Sequence, residues 1–218
     1  MAFVFTPRSN LIARAVVALV ILLIVGLSYA AYALTNSSYA TGVDLFVEQP
    51  IPFSHQHHVR DDGIDCRYCH AAVEDGPFAG IPATDTCMNC HGQLWTEAPA
   101  LEPLRESWRT GQPLHWRRVH KLPDYVYFDH SIHIHKGIGC VTCHGRVDQM
   151  PLTYKAQTLY MNWCLECHRN PEKFIRPREE VFSMTWEAPP DREAFGRRLM
   201  QEYGVQTERL TDCVICHR

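Results

Sequence analysis

Five copies of one short motif place reactive side chains at a fixed spacing. In each copy, two cysteines are separated by two residues and a histidine directly follows the second cysteine. The thiols are Cys66, Cys69, Cys87, Cys90, Cys140, Cys143, Cys164, Cys167, Cys213 and Cys216, and the histidines are His70, His91, His144, His168 and His217. These motifs, numbered first to fifth along the chain, contain all ten cysteines. Because this is the attachment signature of c-type haem, the sequence predicts five covalently bound haem c groups.

Other sites also use two cysteines at this spacing. Zinc knuckles, thioredoxin-like dithiols and disulfides are the alternatives to haem. None of them requires a histidine directly after the second cysteine, so five such histidines favour haem attachment, with each histidine as the proximal iron ligand.

The remaining histidines bear on whether the irons conduct electrons or react with a substrate. An iron that only transfers electrons is six-coordinate, whereas a reactive iron keeps an open position. Five bis-histidine haems need ten histidines, and the chain has 13. The predicted distal ligands are His55, His58, His120, His130 and His133. We interpret His57, His115 and His135 as surface histidines, and Met150 and Met161 are alternative distal ligands that would otherwise be core residues.

An internal repeat supports four of these distal ligands. The pattern Phe53-Ser-His55, with His58 and the first motif, recurs as Phe128-Asp-His130, with His133 and the third motif. The repeats cover about residues 53–91 and 128–168, and the fifth motif lies outside them. By resemblance to small multihaem cytochromes, the first histidine of each repeat would serve the motif that follows it. The second would reach a neighbouring haem, and His120 is chosen as the fifth distal ligand.

The N-terminal region predicts a membrane anchor. The uncharged apolar run from Ala15 to Ala33 is close to the roughly 20 residues that cross a bilayer. Arg8 and Arg14 precede the run, so the positive-inside rule places the N-terminus in the cytoplasm. We expect an anchor over residues 1–34, with a transmembrane helix at about 11–33.

This orientation places the rest of the chain on the periplasmic side of a bacterial inner membrane. A cleaved signal peptide is the alternative, because Ala31-Tyr32-Ala33 resembles a cleavage site. The apolar run is longer than a typical signal sequence, which favours a retained single-pass anchor.

The expected fold class is mainly α with extensive loop. Residues 35–52 have the composition of a polar linker, and residues 53–218 that of one multihaem cytochrome c domain whose core is dominated by haem. We expect helices over Leu101–Thr110 and Asp191–Gly204. The Pro- and charge-rich stretch from His168 to about Pro190 is interpreted as a surface loop or a segment lying on a partner. The formal net charge is −3, and no nucleic-acid partner is expected.

Longer strings around the motifs carry a family resemblance. PFSHQHHVRDDGIDCRYCH, AGIPATDTCMNCH, RVHKLPDYVYFDHSIHIHKGIGCVTCHGRVDQM, MNWCLECHR and TDCVICHR resemble the pentahaem cytochrome c subunits of bacterial alternative complex III. The likeness covers about residues 45–218 and includes the N-terminal anchor. It implies an electron-transfer subunit of a quinol:electron-acceptor oxidoreductase. The implied partners are an iron–sulfur subunit of molybdoenzyme-like fold, NrfD-like quinol-binding membrane subunits, a monohaem cytochrome c, and a soluble electron acceptor or terminal oxidase.

Two other functions remain compatible with the sequence. One is a stand-alone anchored multihaem quinol dehydrogenase that feeds a periplasmic reductase. The other is a haem enzyme with one five-coordinate iron. The sequence contains no catalytic triad, nucleotide-binding loop or paired-carboxylate site, so no catalytic site of its own is expected.

Overall fold

The computed structural model describes residues 6–218. The chain divides after Val43 into two compact units. In the N-terminal unit, helix α1 spans Pro7–Thr35 and the short helix α2 spans Ser38–Thr41. The hydroxyl of Thr6 accepts a hydrogen bond from the Ser9 amide and so caps the start of α1.

Helix α1 matches the predicted anchor in position and composition. Within the described chain, the stretch Arg8–Thr35 is the one helix long and apolar enough to cross a membrane. Its apolar side chains point to all sides of the helix, as expected for a segment surrounded by lipid. The helix therefore fits a single-pass membrane anchor.

The second unit, Asp44–Arg218, consists of short helices joined by long irregular segments. Its α-helices are α3 (Cys66–Cys69), α4 (Thr84–His91), α5 (Glu102–Thr110), α6 (His130–His135), α7 (Cys140–His144), α8 (Met161–Arg169), α9 (Arg192–Glu202) and α10 (Cys213–Cys216). A π-helical turn covers Gln56–Asp61, and single 3₁₀ turns cover Pro99–Leu101, Val147–Gln149, Pro171–Lys173, Arg178–Glu180 and Thr207–Arg209.

The expected mainly helical fold with extensive loop is confirmed. No β-strand forms between residues 6 and 218, where isolated bridges join Phe46 to Tyr154, Val126 to His217 and Ile138 to Ile175. The two predicted helices are present as α5 and α9. Helix α5 ends at Gly111, which adopts a left-handed φ of 69° and whose amide bonds to the Ser107 carbonyl.

Apolar side chains form only small buried clusters in this unit. One cluster contains Val73, Ile134 and Val181, and joins residues from both repeats to a later segment. The other contains Ile175, Leu199 and Tyr203, and holds α9 against the same segment. Clusters of this size supply little hydrophobic stabilisation for a unit of this length.

The segment after the fourth motif differs from its interpretation as a surface loop. Ile175 is 1% exposed and Val181 is fully buried. The Arg176 amide donates to the Gly137 carbonyl, and the Cys140 amide donates to the Val181 carbonyl. The interpretation is therefore wrong for the centre of the segment, because its two apolar residues anchor it beneath α6 and α7.

Candidate metal centres

Every motif places its two thiols on one face of a short helix. Helices α3, α7 and α10 begin at the first cysteine of a motif, and α4 and α8 contain the second and fourth motifs. Residues three apart on a helix are neighbours on its surface, so both thiols can reach one planar group. The Asp65 carboxylate caps α3 by accepting from the Arg67 amide at 2.8 Å.

The alternatives to haem attachment find no support in this geometry. All ten cysteines are free, so no motif forms a disulfide. Between residues 6 and 218, no group of three or more His, Cys, Asp or Glu side chains is arranged to hold a metal ion. A zinc knuckle would require such a group.

In the first repeat, two histidines outside the motifs face the two motif histidines. The ring centres of His55 and His70 lie 6.4 Å apart, and the ring planes are within 9° of parallel. The ring centres of His58 and His91 lie 6.2 Å apart, with an angle of 65° between the planes. His55 precedes the π-helical turn Gln56–Asp61 and His58 lies in it, so one local element carries both rings.

The second repeat has the same arrangement. The ring centres of His130 and His144 are 6.2 Å apart, with planes within 12° of parallel. The ring centres of His133 and His168 are also 6.2 Å apart, with an angle of 40° between the planes. Helix α6 carries both facing histidines, whose spacing of three residues puts them on one side of the helix.

These separations fit one iron between the two rings of each pair. Metal–imidazole bonds are about 2 Å long, so two imidazoles on opposite sides of one iron have ring centres about 6 Å apart. Rings packed directly against each other would be closer. The residues present therefore fit four haem irons, each of which would be held by one motif histidine and one facing histidine.

Hydrogen bonds at Nδ1 orient most of these rings. The Nδ1 partners are Thr153 Oγ1 for His55, and the carbonyl oxygens of Ser54 for His58, Gly80 for His70, Leu94 for His91, Pro77 for His130, Asp129 for His133 and Leu210 for His168. A carbonyl oxygen only accepts, so Nδ1 carries the proton and Nε2 keeps a lone pair for a metal.

Burial also favours the ligating form of the histidines. Burial first, and neighbouring histidines second, lower the pKa of His144 to about 3 and the pKa of His55 to about 4. A neutral imidazole is the form that binds a metal. These rings are therefore neutral at physiological pH before any iron is bound.

One aromatic ring separates the facing histidines in each repeat. Phe53 lies edge-on to His55 at 4.9 Å and is stacked on His58 at 4.5 Å. Phe128 has nearly the same contacts with His130 and His133, at 4.8 and 4.6 Å. Each phenylalanine therefore restricts the rotation of two candidate ligands.

The fifth motif has different surroundings. His217 forms an isolated bridge with Val126, and the Tyr127 amide donates to the Cys216 carbonyl at 2.7 Å. The ring that contacts His217 belongs to Tyr125, with a centre-to-centre distance of 5.9 Å and a tilt of 25°. Between residues 6 and 218, no histidine ring contacts that of His217.

His120, predicted as the fifth distal ligand without a motif assigned to it, lies beside the third motif. Its ring lies edge-on to His144 with centres 4.3 Å apart. Burial, Lys155 and His130 together lower the pKa of His120 to about 4. The role of His120 as the fifth distal ligand stays a prediction.

Between residues 6 and 218, the other candidate histidines make no ring contact with a motif histidine, although the ring of His57 lies 5.3 Å from that of His58. Met150 is 1% exposed and Met161 is 61% exposed. His57, His115 and His135 are exposed, and His57 lies 3.5 Å from the Asp62 carboxylate. The surface interpretation of these three histidines agrees with their exposure.

Paired thiols on helices, each followed by a histidine that in four cases faces a second imidazole, define a covalent multihaem c-type cytochrome. The chain belongs to the multihaem cytochrome c family, and it binds haem c through its cysteine pairs. Residues 126–218 match the family described as cytochrome c7 and related cytochrome c. The multihaem cytochrome c subunit of menaquinone reductase from Nitratidesulfovibrio vulgaris is 35% identical over 144 residues, covering 56% of this chain and 69% of that relative.

The hydrogen-bond partners of Nδ1 in the paired histidines could not be recognised from the sequence. Six of them are backbone carbonyl oxygens, which every residue type offers. Pro77 and Leu210 lie far along the chain from the histidines they hold. Thr153 is a side-chain partner, but it is distant from His55 in sequence and lies outside all five motifs.

Proposed function

We propose that the chain is a membrane-anchored pentahaem cytochrome c that transfers electrons within a quinol:electron-acceptor oxidoreductase of the alternative complex III type. The observation that carries this proposal is the set of four facing imidazole pairs. When bound, each haem c supplies a one-electron redox centre. Ligands on both sides of the iron leave no position for a substrate, which favours electron transfer over haem chemistry.

The attachment sites of the first two motifs adjoin each other. The Asn89 amide donates to the Tyr68 hydroxyl at 3.0 Å, which joins the second motif to the first. Burial first and the Cys87 thiol second raise the pKa of Cys69, so the two thiols are close in space. His55 and His58 hold the facing sides of these two sites from one short segment.

The first site also adjoins the third. The Pro77 carbonyl, in the loop after the first motif, accepts from Nδ1 of His130 at 2.7 Å. Burial first and the Cys66 thiol second raise the pKa of Cys140 to about 11. The contact between the two repeats therefore runs through the first and third motifs.

The third site adjoins the fourth, and the fourth adjoins the fifth. Burial and then Cys167 raise the pKa of Cys143 to about 12, while burial and then Cys216 raise the pKa of Cys164. Nδ1 of His168 donates to the Leu210 carbonyl at 2.7 Å, just before the fifth motif. We infer that the five sites follow the spatial order second, first, third, fourth, fifth. The second and fifth sites are then the two ends of this row of haems.

The membrane context supports a role in electron transfer to or from membrane quinones. Helix α1 fits a single-pass anchor, and we propose that the haem unit lies on the periplasmic side of the inner membrane. The relative from Nitratidesulfovibrio vulgaris is a subunit of a menaquinone reductase. By resemblance, the partners would be an iron–sulfur subunit of molybdoenzyme-like fold, NrfD-like quinol-binding subunits and a monohaem cytochrome c. The final acceptor would be a soluble carrier or a terminal oxidase.

Reduction of the purified complex and of the isolated subunit by a quinol analogue tests this function. We expect five haems per chain by pyridine haemochrome assay. A quinol analogue should reduce them in the complex but leave the isolated subunit oxidised. Reduction of the isolated subunit at the same rate would instead support a stand-alone quinol dehydrogenase.

A further inference from the structure

A buried arginine beside the third motif has no ion-pair partner. Arg176 is 6% exposed, and its guanidinium group pairs with no carboxylate between residues 6 and 218. Nη1 donates to two uncharged groups, the carbonyl oxygens of Glu180 at 3.4 Å and Ser183 at 3.1 Å. Nε is buried without a hydrogen-bond partner in the described part of the chain. A buried charge that no opposite charge compensates is unfavourable, so this position calls for a functional explanation.

The guanidinium group of Arg176 packs against the start of the third motif. Gly139 directly precedes Cys140, and a Cβ at Gly139 would overlap Cζ and Nε of Arg176. Burial lowers the pKa of Arg176, and the Cys140 thiol is the first of the nearby groups that raise it. The ring of Trp186, whose centroid lies 4.9 Å from Cζ, covers the guanidinium group. The positive charge therefore lies beside the point where the third haem is attached.

The first motif has different charges at the equivalent position. Asp65 precedes Cys66 in the first repeat, where Gly139 precedes Cys140 in the second. The Asp65 carboxylate pairs with Arg67 at 2.9 Å, and both side chains are about half exposed, at 48% and 49%. Charges that are paired and solvated have little effect on a neighbouring redox centre. The two repeats therefore differ in the charge that they place beside the attached haem.

A neighbouring cation acts unequally on the two oxidation states of a haem. The ferric haem carries one more positive charge than the ferrous haem, so the cation destabilises the ferric state more. Burial strengthens this effect, because water screens buried charges less than exposed ones. Burial and local dielectric are among the means by which proteins set haem potentials.

We propose that the buried, unpaired charge of Arg176 raises the reduction potential of the third haem. The charge acts through space, and the facing histidines His130 and His144 remain the candidate ligands. The third haem, at the centre of the proposed order, is then reduced more readily than it would be without this arginine. The inference rests on the proposed function, because it requires an electron-transferring haem at the third motif.

Potentiometric titration of the haem-loaded, full-length protein tests this inference. Arg176→Met removes the charge and keeps a long apolar side chain. Arg176→Lys keeps the charge but loses the planar guanidinium group and its arrangement of donors. We expect one haem of Arg176→Met to titrate at a lower potential than in the wild type, while Arg176→Lys titrates close to the wild type.

The matched control is Arg178→Met, on the same segment. Arg178 is exposed, donates to the His135 carbonyl at 2.8 Å and has its Cζ 4.2 Å from the centroid of the Tyr203 ring. It therefore resembles Arg176 in its contacts but not in its burial. Because water screens its charge, we expect all potentials of Arg178→Met to equal those of the wild type.

Arg176→Gln provides a second neutral variant. Glutamine keeps an N–H donor for the carbonyl oxygens of Glu180 and Ser183, so it removes the charge with less disturbance of that segment. Its titration should show the same decrease in the potential of one haem as Arg176→Met. If Arg176→Met cannot be purified, the comparison of Arg176→Gln with Arg176→Lys still decides between a charge effect and its absence.

A second measurement assigns the effect to one haem. In a His130→Ala background, we expect the third haem to be high-spin, so its absorption can be followed separately from that of the low-spin haems. Adding Arg176→Gln should lower the potential of this high-spin haem, whereas adding Arg178→Gln should not. A shift confined to the low-spin haems would contradict the assignment to the third haem.

Two further results would overturn the inference. Unchanged potentials in both neutral variants would show that the charge of Arg176 affects no haem. Equal shifts in Arg176→Lys and the neutral variants would show that the loss of the guanidinium contacts, and not of the charge, changes the potential. Failure of the proposed function is distinguishable from both, because it would appear in the wild type as missing haem or as haems that quinol does not reduce in the complex.

Discussion

The carbonyl oxygen of Pro77 accepts a 2.7 Å hydrogen bond from Nδ1 of His130, a residue 53 positions further along the chain. Pro77 lies in the loop that follows the first haem motif, and the ring of His130 faces the histidine of the third motif. The first repeat thus orients a proposed iron ligand of the second repeat. Assembly of one site is therefore linked to assembly of the other.

Removing one facing histidine should open one iron. In His55→Ala or His130→Ala, we expect unchanged haem content, because the thioether bonds remain, and one high-spin haem that binds carbon monoxide when reduced. Optical and EPR spectra of the purified protein provide the measurement. His135→Ala removes an exposed histidine on α6 and should leave the spectra unchanged from the wild type. A His130→Ala variant without a new high-spin haem would contradict the axial pairing.

The fifth haem should differ spectroscopically from the other four. The histidines outside the motifs that face a motif histidine are all used by the first four sites, and Tyr125 is the ring beside His217. We expect near-infrared magnetic circular dichroism of the wild type to show bis-histidine signals for four haems and a different ligand set for the fifth. Five equivalent bis-histidine signals would show that a histidine reaches the fifth iron.

Loss of the third haem should interrupt electron transfer along the proposed row of haems. Replacing Cys140 and Cys143 by serine removes the thioether bonds at a site that lies between the first and fourth. In stopped-flow reduction of the complex by quinol, we expect a fast phase for the haems on the entry side and a much slower phase for the others. For electron entry at the second site, replacing Cys213 and Cys216 removes only the far end, so the remaining haems should still be reduced in one fast phase. A single fast phase in both variants would contradict the order.

Gly137 occupies a position where any side chain is unfavourable. Its φ is +78°, and a Cβ there would overlap the carbonyl oxygen of Arg176. The left-handed conformation alone costs a non-glycine residue about 1–2 kcal/mol, and the overlap forces the Arg176 segment to move. Gly137→Ala should therefore lower the free energy of unfolding by more than about 2 kcal/mol in guanidinium titrations.

Gly111 provides the matched control for this substitution. Its φ is +69°, but a Cβ added there would have no atom within 4 Å. Gly111→Ala should cost about 1 kcal/mol through backbone strain alone. Equal decreases in the free energy of unfolding of the two variants would mean that the contact with Arg176 has no energetic effect.

The sequence was informative where chemistry repeats and uninformative where contacts are made by the backbone. The duplicated Phe-x-His-x-x-His pattern led to His55, His58, His130 and His133, and the structure places each of these rings opposite a motif histidine. The link between motifs and short helices was also predictable, because the spacing of the thiols is helical.

Contacts between distant segments were not predictable. His120 has no counterpart in the first repeat, so counting ligands predicted it as a fifth distal ligand but did not predict which motif it serves. Its actual neighbour depends on how an irregular segment packs against α7. The buried centre of the segment around Ile175 was missed for a related reason, because prolines and charges outnumber the two residues that anchor it.

The small size of the apolar clusters has a consequence for biogenesis. Val73, Ile134 and Val181 in one cluster, and Ile175, Leu199 and Tyr203 in the other, bury too little surface to offset the conformational entropy of a chain this long. A newly synthesised polypeptide should therefore remain unfolded until its cofactors are attached, which keeps its thiols open to the attachment machinery. A chain that lacks a haem would also lack part of its folded core and would be exposed to proteases. Haem attachment would then act as quality control.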